Sequence, residues 1–160
     1  MRSEKEVTRA IERYADMVQR ICMTYLKSRH DTDDVFQTVF VKYALSSQSF
    51  DSDEHEKAWL IRVTINACKD WLKNIFRRSV VPLEEAQEQI KGLPTETTEV
   101  LDAVASLPER YRIVIYLHYY EGYTAQEIGH LLRKNTNTVY TWLHRGKTLL
   151  KGALGGDENA

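Results

Sequence analysis

Five side chains near the C-terminal end could read nucleic acid. Tyr140, Thr141, His144, Arg145 and Thr148 recur at spacings of three and four, so one outer side of a helix can carry them. Hydroxyl, imidazole and guanidinium groups in that arrangement can donate to base edges and phosphates from the major groove. A second polar stripe, Arg62, Asn66, Lys69, Lys73 and Arg77, has the same period in the first half of the chain. Groups with catalytic chemistry are scattered by comparison. His30, His55, His118, His130 and His144 form no HExxH, and no Cys-x-x-Cys accompanies them, so neither a metal site nor a cofactor is expected. Asp51-Ser52-Asp53 opens like a calcium loop but fails at its sixth position, Glu56, and its twelfth, Arg62. The chain has no phosphate-cradling glycine loop and no nucleophile elbow, and it does not read as an enzyme.

The charge distribution supports the two polar stripes. The 160 residues carry 22 Lys+Arg against 23 Asp+Glu, a net charge of −1. That balance hides a net +2 over residues 1–78, −5 over 79–105 and +2 over 106–160. Residues 133–151 contain five basic groups and no acid, and residues 57–78 contain six basic groups against Asp70 alone. Two basic faces flanking an acidic connector suggest two phosphate-facing surfaces.

Helices must position these groups. Glycine and proline are scarce, at 7 and 3, and no segment keeps a strand period for long, so the expected fold class is all-α. Ser3 and Glu6 read as a capping box for a helix over 4–28, with Val7, Ile11, Tyr14, Val18, Ile21, Tyr25 and Leu26 at helical spacing. Asp31 or Thr32 can cap a second helix over 32–45, with Val35, Phe36, Val39, Phe40 and Tyr43 inward. The polar loop 46–55 precedes a third helix over 56–77, whose inward stripe is Leu60, Val63, Thr64, Ala67 and Trp71. Residues 79–97 are acidic and split by Gly92 and Pro94, which marks a linker. Thr98 can open a helix over 99–106, and Pro108 starts another that ends near Tyr120 before Gly122.

Thr124 and Glu127 form a second capping box, opening a short helix over 125–132. Asn135, Thr136 or Asn137 caps a last helix running to about 152. The two have the size and spacing of a helix-turn-helix, with Gly129 as the small residue where the helices approach and Ile128, Leu132 and Val139 as apolar anchors. Arg133 stands at a turn position often occupied by glycine. The expected architecture is two small helical domains joined by an acidic linker, the second ending in this motif. Cys22 and Cys68 each lie in an apolar-periodic segment and read as small buried thiols. The N-terminus lacks an apolar signal core and no apolar run approaches the roughly 20 residues of a membrane span, so a cytoplasmic protein without membrane insertion is expected.

Five segments, in order, resemble the extracytoplasmic-function (ECF) type of RNA polymerase sigma factor. Asp31-Thr32-Asp33-Asp34-Val35-Phe36-Gln37-Thr38-Val39-Phe40 is similar to the family's D-A-E-D-hydrophobic-hydrophobic-Q-E-hydrophobic-F signature. Trp59-Leu60-Ile61-Arg62-Val63-Thr64-Ile65-Asn66, with Asp70, Arg77 and Arg78, resembles its W-L-x-x-I-A-x-N-x-x-x-D…R-R helix. Leu107-Pro108-Glu109-Arg110-Tyr111-Arg112 resembles L-P-x-x-x-R, and Gly122-Tyr123-Thr124-Ala125-Gln126-Glu127-Ile128 resembles G-x-S-x-x-E-I. Asn137 to Lys147 is similar to G-T-V-K-S-R-L-x-R-A-R. Tyr140 and Trp142 depart from the basic residues common at their positions, whereas Arg145 is retained.

The resemblance implies a transcription initiation factor that binds core RNA polymerase and directs it to promoter DNA. Residues 1–78 would be a sigma-two domain, 98–155 a sigma-four domain and 156–160 a tail. Asp31, Asp34, Gln37, Thr38 and Val41 would meet the β′ clamp helices, and the polymerase β flap would be a further contact; helix-dipole capping is the alternative for Asp31, Asp33 and Asp34. Phe50, Asp51, Ser52 and Asp53 would form the pocket for a flipped base of the −10 element, beside a DNA face of Arg62, Asn66, Lys69 and Lys73. Phe50 could instead be core. Thr138, Tyr140, Thr141, His144, Arg145 and Lys147 would read the −35 element, while Trp142 could pack inward or lie on the DNA backbone. An anti-sigma factor would be a second partner.

Energetics favours a factor that works with polymerase. Opening DNA costs about 1.4 kcal/mol per base-pair step, and one captured, stacked base returns about 1–3 kcal/mol. A domain of this size needs a large partner to hold four open steps. A helix-turn-helix regulator acting without polymerase would not need the segments Asp31–Phe40 and Trp59–Arg78, and a sigma-like adaptor would dock without melting.

Overall fold

In the computed structural model, residues 1–26, 28–78 and 103–154 are described. All their regular structure is helical, and the chain divides into two compact units, Met1–Leu93 and Pro94–Ala160. The linker expected over 79–97 and most of the helix expected over 99–106 lie outside the described residues; 103–105 are helical. No helix among the described residues is long and apolar enough to cross a membrane.

The first unit packs three helices on one another. Helix α1, Glu4–Leu26, opens where Ser3 Oγ accepts from Glu6 N at 3.2 Å. It buries Ala10, Tyr14, Met17, Val18, Ile21, Cys22, Tyr25 and Leu26. Each large apolar side chain so removed from water is worth about 1.5–3 kcal/mol. Helix α2, Arg29–Leu45, starts earlier than either expected cap allows: Ser28 Oγ accepts from Asp31 N at 3.3 Å. Ser28 is itself buried, so the cap is bound into the core rather than chosen by exposed local signals.

Helix α3 spans Asp53–Arg78, three residues longer at its start than expected. Ser52 explains this, because its Oγ accepts from His55 N at 3.1 Å and its carbonyl from Glu56 N. The buried face of α3 is also rotated from the expected stripe. Leu60, Thr64 and Ala67 are buried, but so are Ile61, Ile65 and Cys68, while Val63 and Trp71 are only half-buried. Packing against both α1 and α2 widens the buried arc beyond one stripe. Cys22 and Cys68 are both buried, and neither is in a disulfide.

In the second unit, helix α4 covers Glu109–Ile115 and continues as a π-helical turn over Tyr116–Tyr120. A uniform α-helix to Tyr120 was expected. Instead Glu121 N bonds Tyr116 O, and the Tyr116 and Tyr120 rings stack at 5.2 Å. Leu117 stays buried while Tyr119 and Tyr120 face solvent. Gly122 then turns the chain with φ +81°, a conformation that glycine adopts without a side-chain clash. Arg112 is 5% exposed, and its Nη1 donates to Ala105 O at 3.1 Å and Leu107 O at 2.9 Å. This buried cation ties the preceding turn to α4.

Helix α5, Ala125–Leu132, carries the complete capping box of Thr124 and Glu127. Helix α6, Thr136–Ala153, is capped by Asn135, whose side chain accepts from Thr138 N at 2.8 Å. Both α4 and α5 pack on α6.

Candidate nucleic-acid interface

The turn between α5 and α6 is built by close backbone approach. A Cβ on Gly129 would lie 2.6 Å from Lys134 O, and Lys134 N donates to Gly129 O at 2.9 Å. Arg133 takes the left-handed conformation, φ 57° and ψ 47°, at the position where a glycine is often found. Such a conformation costs a side-chain-bearing residue about 1–2 kcal/mol. The Lys134 N–Gly129 O bond and the Asn135 cap hold the chain immediately after it.

This geometry sets the outer face of α6. Tyr140, Thr141, His144, Arg145 and Lys147 are exposed, and Thr138 is half-buried. Thr141 Oγ1 donates to Asn137 O at 3.0 Å, so the hydroxyl's donor is engaged within the helix and its oxygen faces outward as an acceptor. Tyr140 is 60% exposed, an amphipathic ring beside polar groups. Trp142 packs against the buried cluster of Leu107, Tyr111 and Ile115, so of the two expected positions the structure selects the inward one. The Lys134 ammonium lies 6.0 Å from its ring centroid.

Two features of this face were missing from the sequence reading. Gly146 is buried, and a Cβ there would meet Ile115 Cδ1 at 2.8 Å and Tyr111 Cβ at 3.2 Å. A glycine inside a helical pattern was the signal that could have marked this crossing. Beside it, the Tyr111 hydroxyl accepts from Arg110 Nη2 at 3.2 Å, with the Arg110 guanidinium 4.5 Å from the Tyr111 ring centroid. Arg110 first, and Arg145 as a further donor, hold the Tyr111 phenol below its ordinary pKa. One phenol thus gathers two cations on the side where Arg145 emerges.

In the first unit, Arg62, Asn66, Lys69 and Lys73 are all exposed along α3, as their period implied. The side chain of Arg77 lies outside the described residues. On α2, Gln37, Thr38 and Val41 are exposed, while Asp31 and Asp34 are half-exposed. Val41 is 56% exposed, an apolar group on an otherwise polar face. Asp31 sits in the first turn of α2, where a carboxylate also favours the helix dipole. His30 Nε2 is 3.8 Å from Asp34 Oδ2.

The loop that enters α3 has aromatic walls. Phe50 is half-buried, with its ring centroid 5.7 Å from Trp59, 5.2 Å from His55 and 6.4 Å from Tyr43. Asp51 is fully exposed at its side chain, and its N–H donates to His55 Nδ1 at 3.1 Å. Ser52 is the cap described above, and Asp53 begins α3 and pairs with Arg13 at 2.9 Å. Tyr43 donates to Glu56 Oε2 at 2.8 Å; burial first, and this carboxylate second, push its phenol up to about 12. The N-terminal Arg2 closes the cluster, its guanidinium 4.4 Å from the Tyr43 ring centroid and 5.0 Å from that of Phe50. Nothing local in the sequence pointed to Arg2, which meets the loop across more than forty residues.

Comparison with known proteins agrees with this geometry. The family model for sigma-70 region 2 matches residues 10–78, and that for sigma-70 region 4 matches residues 97–150. RNA polymerase sigma factor SigV of Bacillus subtilis is 28% identical over 134 residues, covering 82% of this chain and 81% of that protein. ECF RNA polymerase sigma factor SigW of the same organism is 26% identical over 162 residues, covering 90% and 86%. In fold, the chain is similar to the sigma factor RpoE of Bartonella quintana, solved in complex with the anti-sigma factor NepR. The TM-score is 0.70 at 15% identity, over 94% of this chain and 98% of that one. With a region 2 and a region 4 on one chain, in that order, the protein belongs to the ECF-type RNA polymerase sigma factors, transcription initiation factors that bind core polymerase and direct it to promoters.

Proposed function

We propose a residue-level division of labour for this sigma factor. Residues 1–78 act as the sigma-two domain and 98–155 as the sigma-four domain, with the linker 79–97 threading between them through polymerase. Asp31, Asp34, Gln37, Thr38 and Val41 dock on the β′ clamp helices, and the second unit meets the β flap. Exposed Val41 supports this, because an apolar side chain amid polar neighbours gains from being covered. The 46–52 loop receives a flipped base of the −10 element against the Phe50 edge, and Arg62, Asn66, Lys69 and Lys73 follow the adjacent backbone. Asp51 and Ser52 line the loop, and Asp53 holds its end to α1 through Arg13.

On α6, Arg145 and His144 reach base edges of the −35 element. Thr138 and Lys147 meet phosphates at the rim, Thr141 offers its oxygen to a donor on a base edge, and Tyr140 contributes apolar contact. An anti-sigma factor is a further partner, by analogy with the fold relative solved in such a complex.

The observation that carries the proposal is the Arg62–Asn66–Lys69–Lys73 stripe, exposed on the same helix whose start carries the aromatic-walled loop. That arrangement supports phosphate contacts and a base pocket on one element, as opening of a duplex requires. The test is run-off transcription with core polymerase from the source organism on a promoter library. Specific transcripts should require the protein, and Asp34→Lys with Gln37→Ala should abolish them by abolishing binding to core. Binding to core without transcripts would remove the melting role, and no binding to core would overturn the docking assignment.

A further inference from the structure

We propose that Arg2 is a positioning residue for promoter opening. It clamps the 46–52 loop in the shape that receives the flipped base. The proposal rests on the reading of that loop given above. Residue 2 lies outside residues 10–78, the span matched to the region 2 family.

The side chain of Arg2 is 12% exposed, a degree of burial that an arginine reaches only when it is paired. Its backbone N donates to Ala44 O at 2.8 Å and its Nε to Tyr43 O at 3.0 Å. These are carbonyls of the last turn of α2, where orphan acceptors and the helix dipole both favour a cation. Its Nη2 donates to Gln48 O, inside the loop, and its Nη1 is 3.5 Å from Glu6 Oε2 on α1. The guanidinium carbon lies 4.4 Å from the Tyr43 ring centroid and 5.0 Å from that of Phe50. One planar group therefore joins the start of α1, the end of α2 and the loop, and lies beside the Phe50 ring.

The loop residues Ser47, Gln48 and Ser49 are exposed and bury nothing of their own. Their order comes from Arg2, from the Ser46 and Gln48 bonds and from the aromatic cluster around Phe50. Without Arg2 the loop samples other shapes, and base capture weakens by the fraction of time the competent shape is lost. Lysine cannot replace it. An ammonium lacks the fork that reaches Tyr43 O and Gln48 O together.

The test uses the full chain with core polymerase, on a promoter identified by the run-off screen. Arg2→Ala, Arg2→Lys, Phe50→Ala and the Arg2→Ala/Phe50→Ala double variant are compared. Opening is read by permanganate reactivity of unpaired thymines, and core binding by competition. The expected result is a loss of opening of about ten-fold in Arg2→Ala, with core affinity unchanged. Arg2→Lys, which keeps the charge and the stem, should be equally defective, and the double variant no worse than Phe50→Ala alone. Normal opening by either Arg2 variant, or independent losses that multiply in the double variant, would overturn the proposal. Normal opening by Phe50→Ala would overturn the base-pocket reading and this inference with it. A defect in Phe50→Ala without one in Arg2→Ala would overturn this inference alone.

Discussion

Replacing Gly129 by alanine tests whether close backbone approach sets the α5–α6 turn. The new Cβ would sit 2.6 Å from Lys134 O, roughly 0.8 Å inside the 3.4 Å at which ordinary contact begins. The obstacle is backbone, so no side chain can swing aside. Relief requires the turn to move, which stretches the Lys134 N–Gly129 O bond now at 2.9 Å and the Asn135 cap beyond it. Overpacking of this kind costs about 1–3 kcal/mol and a weakened hydrogen bond about 0.5–1.5 kcal/mol. Alanine returns about 0.8–1.0 kcal/mol of helix propensity. The net expectation is a loss of about 1–3 kcal/mol, or about 4–8 °C of melting temperature per kcal/mol in a unit of this size. Gly152→Ala is the control: it is also helical, but no atom lies within 4 Å of its Cβ, so it should be neutral or stabilising. Full-length variants would be compared by thermal circular dichroism, with hydrogen exchange localising the change to α5 and α6. If Gly129→Ala melts as high as Gly152→Ala, the turn is not held by that contact and the reasoning fails.

Other perturbations probe different parts of the molecule. Arg112→Ala should cost about 2–4 kcal/mol, because it removes a buried cation and leaves the Ala105 and Leu107 carbonyls without that donor; equilibrium denaturation would measure it. Arg145→Ala should lose about 1–3 kcal/mol of discrimination at one −35 base pair, read as a flattened preference in a promoter-library assay. Tyr43 is held protonated in the fold up to about 12, against about 10 in the unfolded chain. Because the folded value is the raised one, its contribution is intact below pH of about 10 and fades as pH rises toward 12. Glu56→Gln removes the second cause of the shift, and the phenolate absorbance of Tyr43 should then appear at lower pH. Glu127 is held below its ordinary value by the Thr124 backbone N–H, so the capping box should weaken as pH falls through that lowered value; Thr124→Ala should cost about 1 kcal/mol in denaturant unfolding.

Much of the fold was legible because it follows from local chemistry. The capping box at Thr124 and Glu127 needs only two residues three apart, and the structure forms it where the sequence placed it. Gly129, the Arg62–Lys73 stripe and the inward anchors Ile128, Leu132 and Val139 likewise follow from helical period. What failed was decided by partners distant in sequence. The start of α2 moved to Ser28 because that hydroxyl is buried with the core, and the inward arc of α3 widened because two helices cover it. The π-helical turn at Tyr116–Tyr120 and the burial of Arg112 depend on groups with no periodic signature.

The sequence alone therefore determined the class of molecule. Its helical periods, its two basic faces about an acidic segment and its ordered motifs mark a two-part sigma factor, since each of these depends on residues within one or two turns of each other. Only the tertiary structure decided how the candidate sites are held. Trp142 turns inward because a cluster from α4 receives it, Gly146 is required where that helix crosses α6, and Arg2 reaches the loop before α3 because the start of α1 meets the end of α2. Those contacts join residues tens of positions apart, and chain folding, not spacing, brings them together.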